Sequence, residues 1–481
     1  MRDSGGDSHL ISTTTIRAEL EDHIKQRGTT LHQFAELAEV NVGTLSGIIS
    51  GNRPISVGQL DRITTVMGFP EGHFYDLYVN ECLIPPGAHW RRLRPFLLRC
   101  AELERYDCLK QVLNCLLEDL KQIGGIYDTA EMMFSEGWKQ AASLLYESVI
   151  ECERSNHSER LAMSYFRLYQ IFQNDVIKGF KAAMQFLPYR YRVPEAISLD
   201  GLLMLTETYA VRLDWAEVEN YACELRTLTR VMYDKKIWKD PEFTPVKSLV
   251  YYYGKAALYI AGAYEYRGRY EESRKWIDEY ADLSWFEGLD EAGKAEIEQL
   301  KIFARANFIC LDIKSGNRSR IPEYIEFLEQ HPDEIVEGLI TLVESANRHH
   351  FFVDDAITRF SSQIEKYRFS GKDRWLSSRM STDNNTKAPP YYFRYSVFFQ
   401  DYALYNFRKG LFREGIKDIL YSMRVSLKLS SKDLLTNSMA IFELYRQYAS
   451  EAQCKEYSKL CREVWENEKE NILGGFGFAY V

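Results

Sequence analysis

The chain has 481 residues, of which 46% are hydrophobic and 27% charged, and its formal net charge is −9. This composition is typical of a globular protein, and the acidic balance disfavours unspecific attraction of the whole chain to nucleic acid or to a membrane surface. No apolar run approaches the roughly 18 residues of a membrane span, and the N-terminus has no signal-peptide pattern. The nine cysteines are odd in number and never spaced Cys-x-x-Cys, which favours reduced core thiols and a cytoplasmic location.

Residues 30–54 carry two short amphipathic patterns separated by a tight turn. Thr30 is placed to cap the first helix, and Asn41 is placed to cap the second. Apolar residues at helical spacing predict one more helix before this pair and one after it. The sequence therefore predicts an N-terminal helix-turn-helix bundle over residues 13–77, preceded by a disordered segment, residues 1–12.

The pattern of residues 30–54 resembles the Xre/Cro-like repressor family, which implies that the second helix enters the major groove of DNA. This resemblance assigns DNA contacts to residues on and beside that helix: Asn41, Val42, Gly43, Thr44, Ser46, Gly47 and Arg53. Few of these side chains can read base edges, and residues 1–76 hold six basic against ten acidic residues. A bundle used for dimerisation or for protein contacts is therefore the alternative.

Two segments further along the chain have the pattern of a helical hairpin. In the first, Gly268 ends one helix and Tyr270 opens the next; in the second, Gly410 and Phe412 take the same places. Both match the tetratricopeptide pattern, and the two glycines lie 142 residues apart, about four periods of about 34 residues. The sequence thus predicts an all-α fold in which the bundle precedes a tetratricopeptide-like right-handed α-superhelix over residues 96–470.

Four shorter segments break these patterns. The Pro- and Gly-rich residues 78–95 are expected to form a hinge between the two parts. Two polar, Pro-containing segments, 233–247 and 369–391, are expected to be loops. Residues 471–481 are expected to form a Gly- and aromatic-rich tail.

No motif for catalysis or for a cofactor is present in the sequence. It contains no nucleotide-binding Gly loop, no nucleophile elbow and no zinc-spaced Cys/His set. The neighbouring His349 and His350 would point about 100° apart on a helix, which makes them a poor metal-binding pair. We therefore expect neither an enzyme nor a bound metal or cofactor.

The first helix of each hairpin lines the inner wall of a tetratricopeptide superhelix, so polar residues on these helices are the candidate ligand contacts. Amide side chains can hold a peptide backbone, and charged groups can hold charges on a peptide. The expected peptide-binding residues are Glu207, Glu265, Tyr266, Asn307, Asn347, Gln400, Asp401 and Arg408. Because most of the charged residues among them are acidic, the peptide is predicted to contain at least one basic residue. Arg408 is expected to bind the C-terminal carboxylate of the peptide.

The bundle, the hinge and the array together resemble the peptide pheromone receptors of Gram-positive bacteria, the Rap/Rgg/NprR/PlcR/PrgX group, which includes the phage arbitrium receptors. The resemblance covers nearly the whole chain at the level of architecture. It implies a cytoplasmic, homodimeric quorum-sensing regulator that binds a short imported peptide in its repeats and thereby alters binding to a double-stranded DNA operator. In the alternative, the repeats bind another regulatory protein and the bundle serves only dimerisation.

Overall fold

The computed structural model of the chain describes residues 15–83, 89–116, 120–154, 158–373, 390–429 and 431–475. In these ranges it consists of 24 α-helices with short 3₁₀ and π segments and no strand, which confirms the all-α prediction. None of the described helices combines the length and the apolar character that a bilayer crossing requires. The expected disordered segment, residues 1–12, lies outside the described residues.

The chain divides into two compact units, Met1–Phe172 and Gln173–Val481, so the predicted boundary at residue 77 falls inside the first unit. The helices of the first unit are α1 (Ile16–Arg27), α2 (Leu31–Leu37), α3 (Val42–Ile49), α4 (Val57–Val66), α5 (Tyr75–Tyr78), α6 (Trp90–Glu102), α7 (Tyr106–Leu116), α8 (Ile123–Ser135), α9 (Lys139–Glu153) and α10 (Glu159–Phe172).

Local side-chain chemistry explains where α2 and α3 begin. The Thr30 hydroxyl accepts from the main-chain N–H of Gln33, whose side chain accepts in return from the Thr30 N–H, so the two form a capping box. The Asn41 side chain accepts from two N–H groups in the first turn of α3. Both predicted caps are therefore confirmed. Buried Leu45 and Ile48 pack α3 against α1 and α2.

Two arginines tie α4 and α5 to the helices that follow them. Arg99 on α6 binds Asp61 at 3.0 Å and Glu71 at 2.6 Å. Arg105, just before α7, donates to the Gly72 carbonyl oxygen at 2.5 Å. Of the predicted hinge, residues 84–88 lie outside the described residues, whereas Val79–Leu83 is a π-helical turn and α6 already begins at Trp90.

The helices of the second unit are α11 (Val176–Phe186), α12 (Glu195–Val211), α13 (Trp215–Asp234), α14 (Leu249–Tyr266), α15 (Tyr270–Ala281), α16 (Glu291–Lys314), α17 (Ile321–Gln330), α18 (Ile335–Arg348), α19 (Asp354–Arg359), α20 (Ser361–Asp373), α21 (Pro390–Arg408), α22 (Phe412–Lys428), α23 (Lys432–Tyr445) and α24 (Glu451–Gly475). Between α13 and α14 there is only one short 3₁₀ turn, Ile237–Lys239. Residues 374–389 of the second predicted loop and residues 476–481 of the predicted tail lie outside the described residues.

The two hairpins predicted most clearly are present as the packed pairs α14–α15 and α21–α22. Their turns contain Gly268 and Gly410 at φ 72° and 75°, a left-handed conformation that glycine adopts without strain. Small residues allow the helices of each pair to approach closely. The buried Ser273 hydroxyl donates to the Ala261 carbonyl at 2.9 Å across one pair, and a Cβ at Gly415 would overlap the Phe407 ring across the other.

Alternate helices of the second unit also pack side by side. Helix α12 contacts α14, α14 contacts α16, α16 contacts α18, and α18 contacts α21. These five helices, α12, α14, α16, α18 and α21, are called the first-helix layer below. The layer brings together side chains that are almost two hundred residues apart in sequence, and all eight predicted peptide-binding residues lie on its helices.

Candidate functional site

A largely buried lysine, with a side chain 12% exposed, organises the charges in the middle of the first-helix layer. Lys314 at the end of α16 binds Glu265 of α14 at 2.8 Å and Glu344 of α18 at 3.0 Å. Burial alone would lower the pKa of Lys314, but the two carboxylates outweigh it and raise that pKa. Nothing in the sequence indicates this role for Lys314, because a lysine in a helix usually lies on a solvent-exposed face. Glu265, a predicted contact, is thus one half of an ion-pair network.

Asp401 of α21 lies beside this network. The Asn347 side-chain amide of α18 donates to the main-chain oxygen of Asp401 at 2.8 Å and so fixes the two helices at this level. Burial raises the pKa of the Asp401 carboxyl to about 7, the Glu344 carboxylate adds to the rise, and Lys314 and Arg348 oppose it. No described side chain hydrogen-bonds or ion-pairs with the Asp401 carboxylate. It is therefore a partly buried acid for which the described residues provide no partner.

Arg408, expected to bind a ligand carboxylate, is already engaged. Its Nη1 donates to the Ala346 carbonyl at 2.5 Å and to the Asn347 side-chain oxygen at 3.2 Å. Its Nη2 donates to the Phe351 carbonyl at 3.3 Å. The guanidinium thus satisfies acceptors around the C-terminus of α18, where carbonyl groups lack helical partners. In this arrangement Arg408 positions α18 against α21.

Gln400 also points away from the other candidate contacts. Its side chain is 8% exposed, and its amide donates to the Leu434 carbonyl at 2.7 Å and to the Ser438 hydroxyl at 2.9 Å. Both partners belong to α23, whereas the neighbouring Asp401 accepts from Asn347 of α18. Spacing along α21 placed Gln400 next to Asp401 but could not indicate that their side chains face different neighbours.

A second polar group lies further along the layer, on α12 and α14. The Tyr259 hydroxyl donates to Glu207 at 3.4 Å. Burial raises the pKa of Glu207, and the nearby Lys255 ammonium partly opposes this. The Lys255 ammonium lies 5.7 Å from the Tyr251 ring centroid and 5.5 Å from that of Phe303. No described carboxylate forms an ion pair with Lys255.

The remaining predicted contacts lie between or beside these two groups. Asn307 of α16 donates its amide to the Tyr280 hydroxyl at 2.7 Å, which leaves its side-chain oxygen as a possible acceptor. Tyr266, 60% exposed, stacks on Trp215 with ring centroids 5.2 Å apart. The Arg394 guanidinium of α21 lies 6.0 Å from the Trp215 ring, so the start of α13 and α21 lie close together.

In the first unit, the candidate DNA-binding helix α3 presents few functional groups. Asn41, Gly43, Ser46 and Arg53 are exposed, whereas Thr44 is buried and Val42 and Gly47 are partly buried. Arg53 donates to the Thr44 hydroxyl at 2.8 Å, so its stem lies along α3 over Gly47. The Asn41 side chain is occupied as the helix cap. Ser46 therefore offers the hydroxyl on the exposed face, and Arg53 offers its remaining donors at the edge.

Among the described residues, one cluster has ligand atoms close enough together for a metal ion: Asp76, Asp107 and Cys108 of the first unit. Arg105 binds both carboxylates at 2.8 Å and so already supplies a positive charge there. Burial raises the pKa of the Cys108 thiol to about 12, which disfavours the thiolate that a metal needs. The cluster is best described as an arginine-centred ion pair.

Comparison of the sequence with models of known protein families finds no match, and no curated protein matches it significantly. The resemblance to the peptide pheromone receptors therefore depends on the architecture and the helix-turn-helix pattern alone.

Proposed function

We propose that the chain is a peptide-responsive regulator whose first-helix layer binds a short peptide and whose N-terminal bundle is a helix-turn-helix that binds DNA. The observation that carries the peptide-binding proposal is the presence of one basic and one acidic side chain on one layer of helices, each without an ion-pair partner among the described residues. Lys255 is the basic side chain and Asp401 is the acidic one. A peptide has complementary charges at its termini and side chains, together with a backbone that donates and accepts hydrogen bonds.

The remaining layer residues suit an extended peptide. The aromatic rings of Tyr251 and Phe303 flank Lys255 and offer apolar surface beside its charge. The oxygen of Asn307 can accept from a peptide N–H between the two charged groups. Tetratricopeptide-like arrays curve so that such a layer forms a concave wall, which is a common way of binding peptides. Arg408, Asn347 and Gln400 would then hold α21 in place while their neighbours contact the peptide.

The proposed DNA contacts follow from the capped helix pair in the first unit. Helix α3 would lie in the major groove with Ser46 towards the bases and Arg53 towards a phosphate. Because one such head covers few base pairs, the active form is proposed to be a homodimer on a two-fold operator. Light scattering of the full-length protein at micromolar concentration tests this, and a monomer mass would contradict it.

Peptide capture tests the receptor function directly. The purified full-length protein would be incubated with size-fractionated peptides from conditioned culture medium, washed and analysed by mass spectrometry. We expect one peptide to be retained and to change the mobility shift of a DNA fragment from upstream of the protein's own gene. Retention of no peptide from any fraction would contradict the receptor function.

A second candidate function is binding of another regulatory protein, with the bundle used only for dimerisation. Two observations favour it: the side-chain-poor face of α3, and Leu37 at the end of α2, which is 65% exposed beside the turn that leads to α3. Under this alternative no genomic DNA fragment would shift even at low salt, although the protein would still be a dimer.

A further inference from the structure

Lys314 and four side chains around it form a cluster whose charges do not balance. The cluster has three carboxylates and two cations: Glu265, Glu344, Asp401, Lys314 and Arg348. Lys314 binds two of the carboxylates, and Arg348 binds Glu344 at 2.8 Å. The third carboxylate, Asp401, has no described partner. With every group ionised, the cluster therefore lacks one positive charge.

Among the residues that the structure describes, Lys314 and Arg348 are the cations that act on Asp401, and no further one supplies the missing charge. Helix α18 faces it with Glu344, Arg348 and the neutral Asn347, and α16 faces it with Lys314. Arg408, two turns along α21, binds acceptors at the end of α18 instead. On the other side of α21, Asp418 of α22 is bound by Arg368 at 2.7 Å and by Asn406 at 2.9 Å.

The helix α23 contacts α21 through uncharged groups at this level, the Leu434 carbonyl and the Ser438 hydroxyl. Its charged residues Lys432 and Asp433 are exposed in its first turn. His349 uses its Nε2 on the Lys314 carbonyl oxygen at 2.7 Å. Since the described neighbours supply no further cation, the negative charge of Asp401 can be neutralised either by a proton or by a cation from outside the protein.

We propose that Asp401 is the subsite for one positively charged group of the peptide, an ammonium or a guanidinium, and that this group replaces a proton carried by Asp401 in the free protein. The inference rests on the proposed peptide-receptor function and assigns one of its contacts. In the exchange the Asp401 carboxyl loses one proton to the solvent while the peptide brings in one positive charge, so the charge of the cluster is unchanged.

The pKa of the Asp401 carboxyl and the hydrogen-bond donors of a peptide cation both support this exchange. Burial and Glu344 hold the pKa of Asp401 at about 7, so at neutral pH a large share of molecules carries the proton. A guanidinium or ammonium offers several N–H donors to the two carboxylate oxygens and does not itself lose a proton near neutral pH. A peptide with a neutral group at the same position would leave Asp401 protonated and gain no ion pair.

Two capped hexapeptide pools provide the test. Both are acetylated and amidated and contain random uncharged residues, and they differ only in one fixed residue, which is arginine in one pool and neutral citrulline in the other. Full-length protein selects from an equal mixture of both pools at pH 6, 7 and 8 and constant ionic strength, and mass spectrometry counts the retained peptides. We expect an arginine preference that grows about tenfold from pH 6 to pH 8, as the ionised fraction of a group with a pKa of about 7 does.

Two variants separate Asp401 from general charge effects. Asp401→Asn should remove both the arginine preference and its pH dependence, while Asp278→Asn, the same change at an exposed position of α15, should leave both intact. Equal retention of the two pools, a preference independent of pH, or an unchanged preference in Asp401→Asn would overturn the exchange. If circular dichroism shows that Asp401→Asn does not fold, the pH profile of the unmodified protein decides. Retention of neither pool at any pH would contradict peptide binding itself as well.

Discussion

Asn347 links α18 to α21 by donating its side-chain amide to the main-chain oxygen of Asp401 at 2.8 Å. The oxygen of the same amide accepts from Arg408 at 3.2 Å, two turns further along α21. One amide thereby fixes the relative height of two helices of the first-helix layer. Helix α21 cannot slide along α18 without breaking both hydrogen bonds of the Asn347 side chain. The Asp401 carboxylate is therefore held beside Glu344 and Lys314.

Removing the guanidinium of Arg408 should destabilise the protein. Arg408→Ala deletes donors to three acceptors around the end of α18, and hydrogen bonds from charged groups each contribute about 1.5–3 kcal/mol. Because water can reach part of this end, we expect a loss of about 2–3 kcal/mol in the free energy of unfolding, measured with urea. Arg413→Ala, at an exposed position of α22, should change it by less than about 0.5 kcal/mol. Equal effects of the two variants would contradict the positioning role of Arg408.

The features that sequence predicted well are those decided by neighbouring residues. Thr30 and Asn41 cap α2 and α3 because each side chain reaches N–H groups only two or three residues away. Gly268 and Gly410 end their helices because a left-handed residue is needed within the same turn. Such contacts are encoded in a few consecutive positions, so a single sequence suffices to locate them.

The candidate site was harder to predict because its contacts join distant helices. Helical spacing placed Gln400, Asp401 and Arg408 on α21, but their partners lie on α23, α18 and the segment after α18. Lys314 has the same local pattern as an exposed lysine, and only the packing of α14 and α18 around it makes it a largely buried cation. Spacing along one helix therefore identified candidates but could not assign their partners.

A buried ion pair between α20 and α22 should respond differently to single and double substitution. Arg368 binds Asp418 at 2.7 Å, and their side chains are 9% and 1% exposed. Asp418→Leu strands the buried guanidinium and should cost about 3–5 kcal/mol of unfolding free energy. The double variant Arg368→Leu/Asp418→Leu removes both charges and should recover a large part of that loss. Additive losses in a double-mutant cycle by urea unfolding would show that the two residues do not interact.

Arg53 should contribute to DNA affinity by contacting a backbone phosphate and not by contacting base edges. In a homodimer, Arg53→Ala removes one phosphate contact from each head, so the slope of log K against log salt should fall by about 2. Ser46→Ala should weaken binding without changing this slope, and the two substitutions together should abolish the mobility shift. Lys25→Ala, the same charge change at a side chain 67% exposed on α1, is the control. A full shift by the double variant would contradict the assignment of the DNA contacts to Ser46 and Arg53.

The stability of the protein should reveal the raised pKa of Asp401 without any peptide. Its pKa is about 7 in the folded protein and near its usual value of 3.8 in the unfolded chain, so between these values the folded state binds more protons. The contribution of Asp401 to the free energy of unfolding is therefore fully present below pH 4, falls as the pH rises to 7 and is constant above pH 7.

The variant Asp401→Asn cannot titrate at this position, so its free energy of unfolding lacks this fall. From pH 5 to pH 8 the variant should thus gain about 2–3 kcal/mol relative to the unmodified protein, at about 1.4 kcal/mol per pKa unit. Urea unfolding at both pH values measures this difference, and Asp278→Asn, the same change at an exposed position of α15, is the control. A difference between Asp401→Asn and the unmodified protein that does not change with pH would mean that Asp401 ionises normally in the folded state.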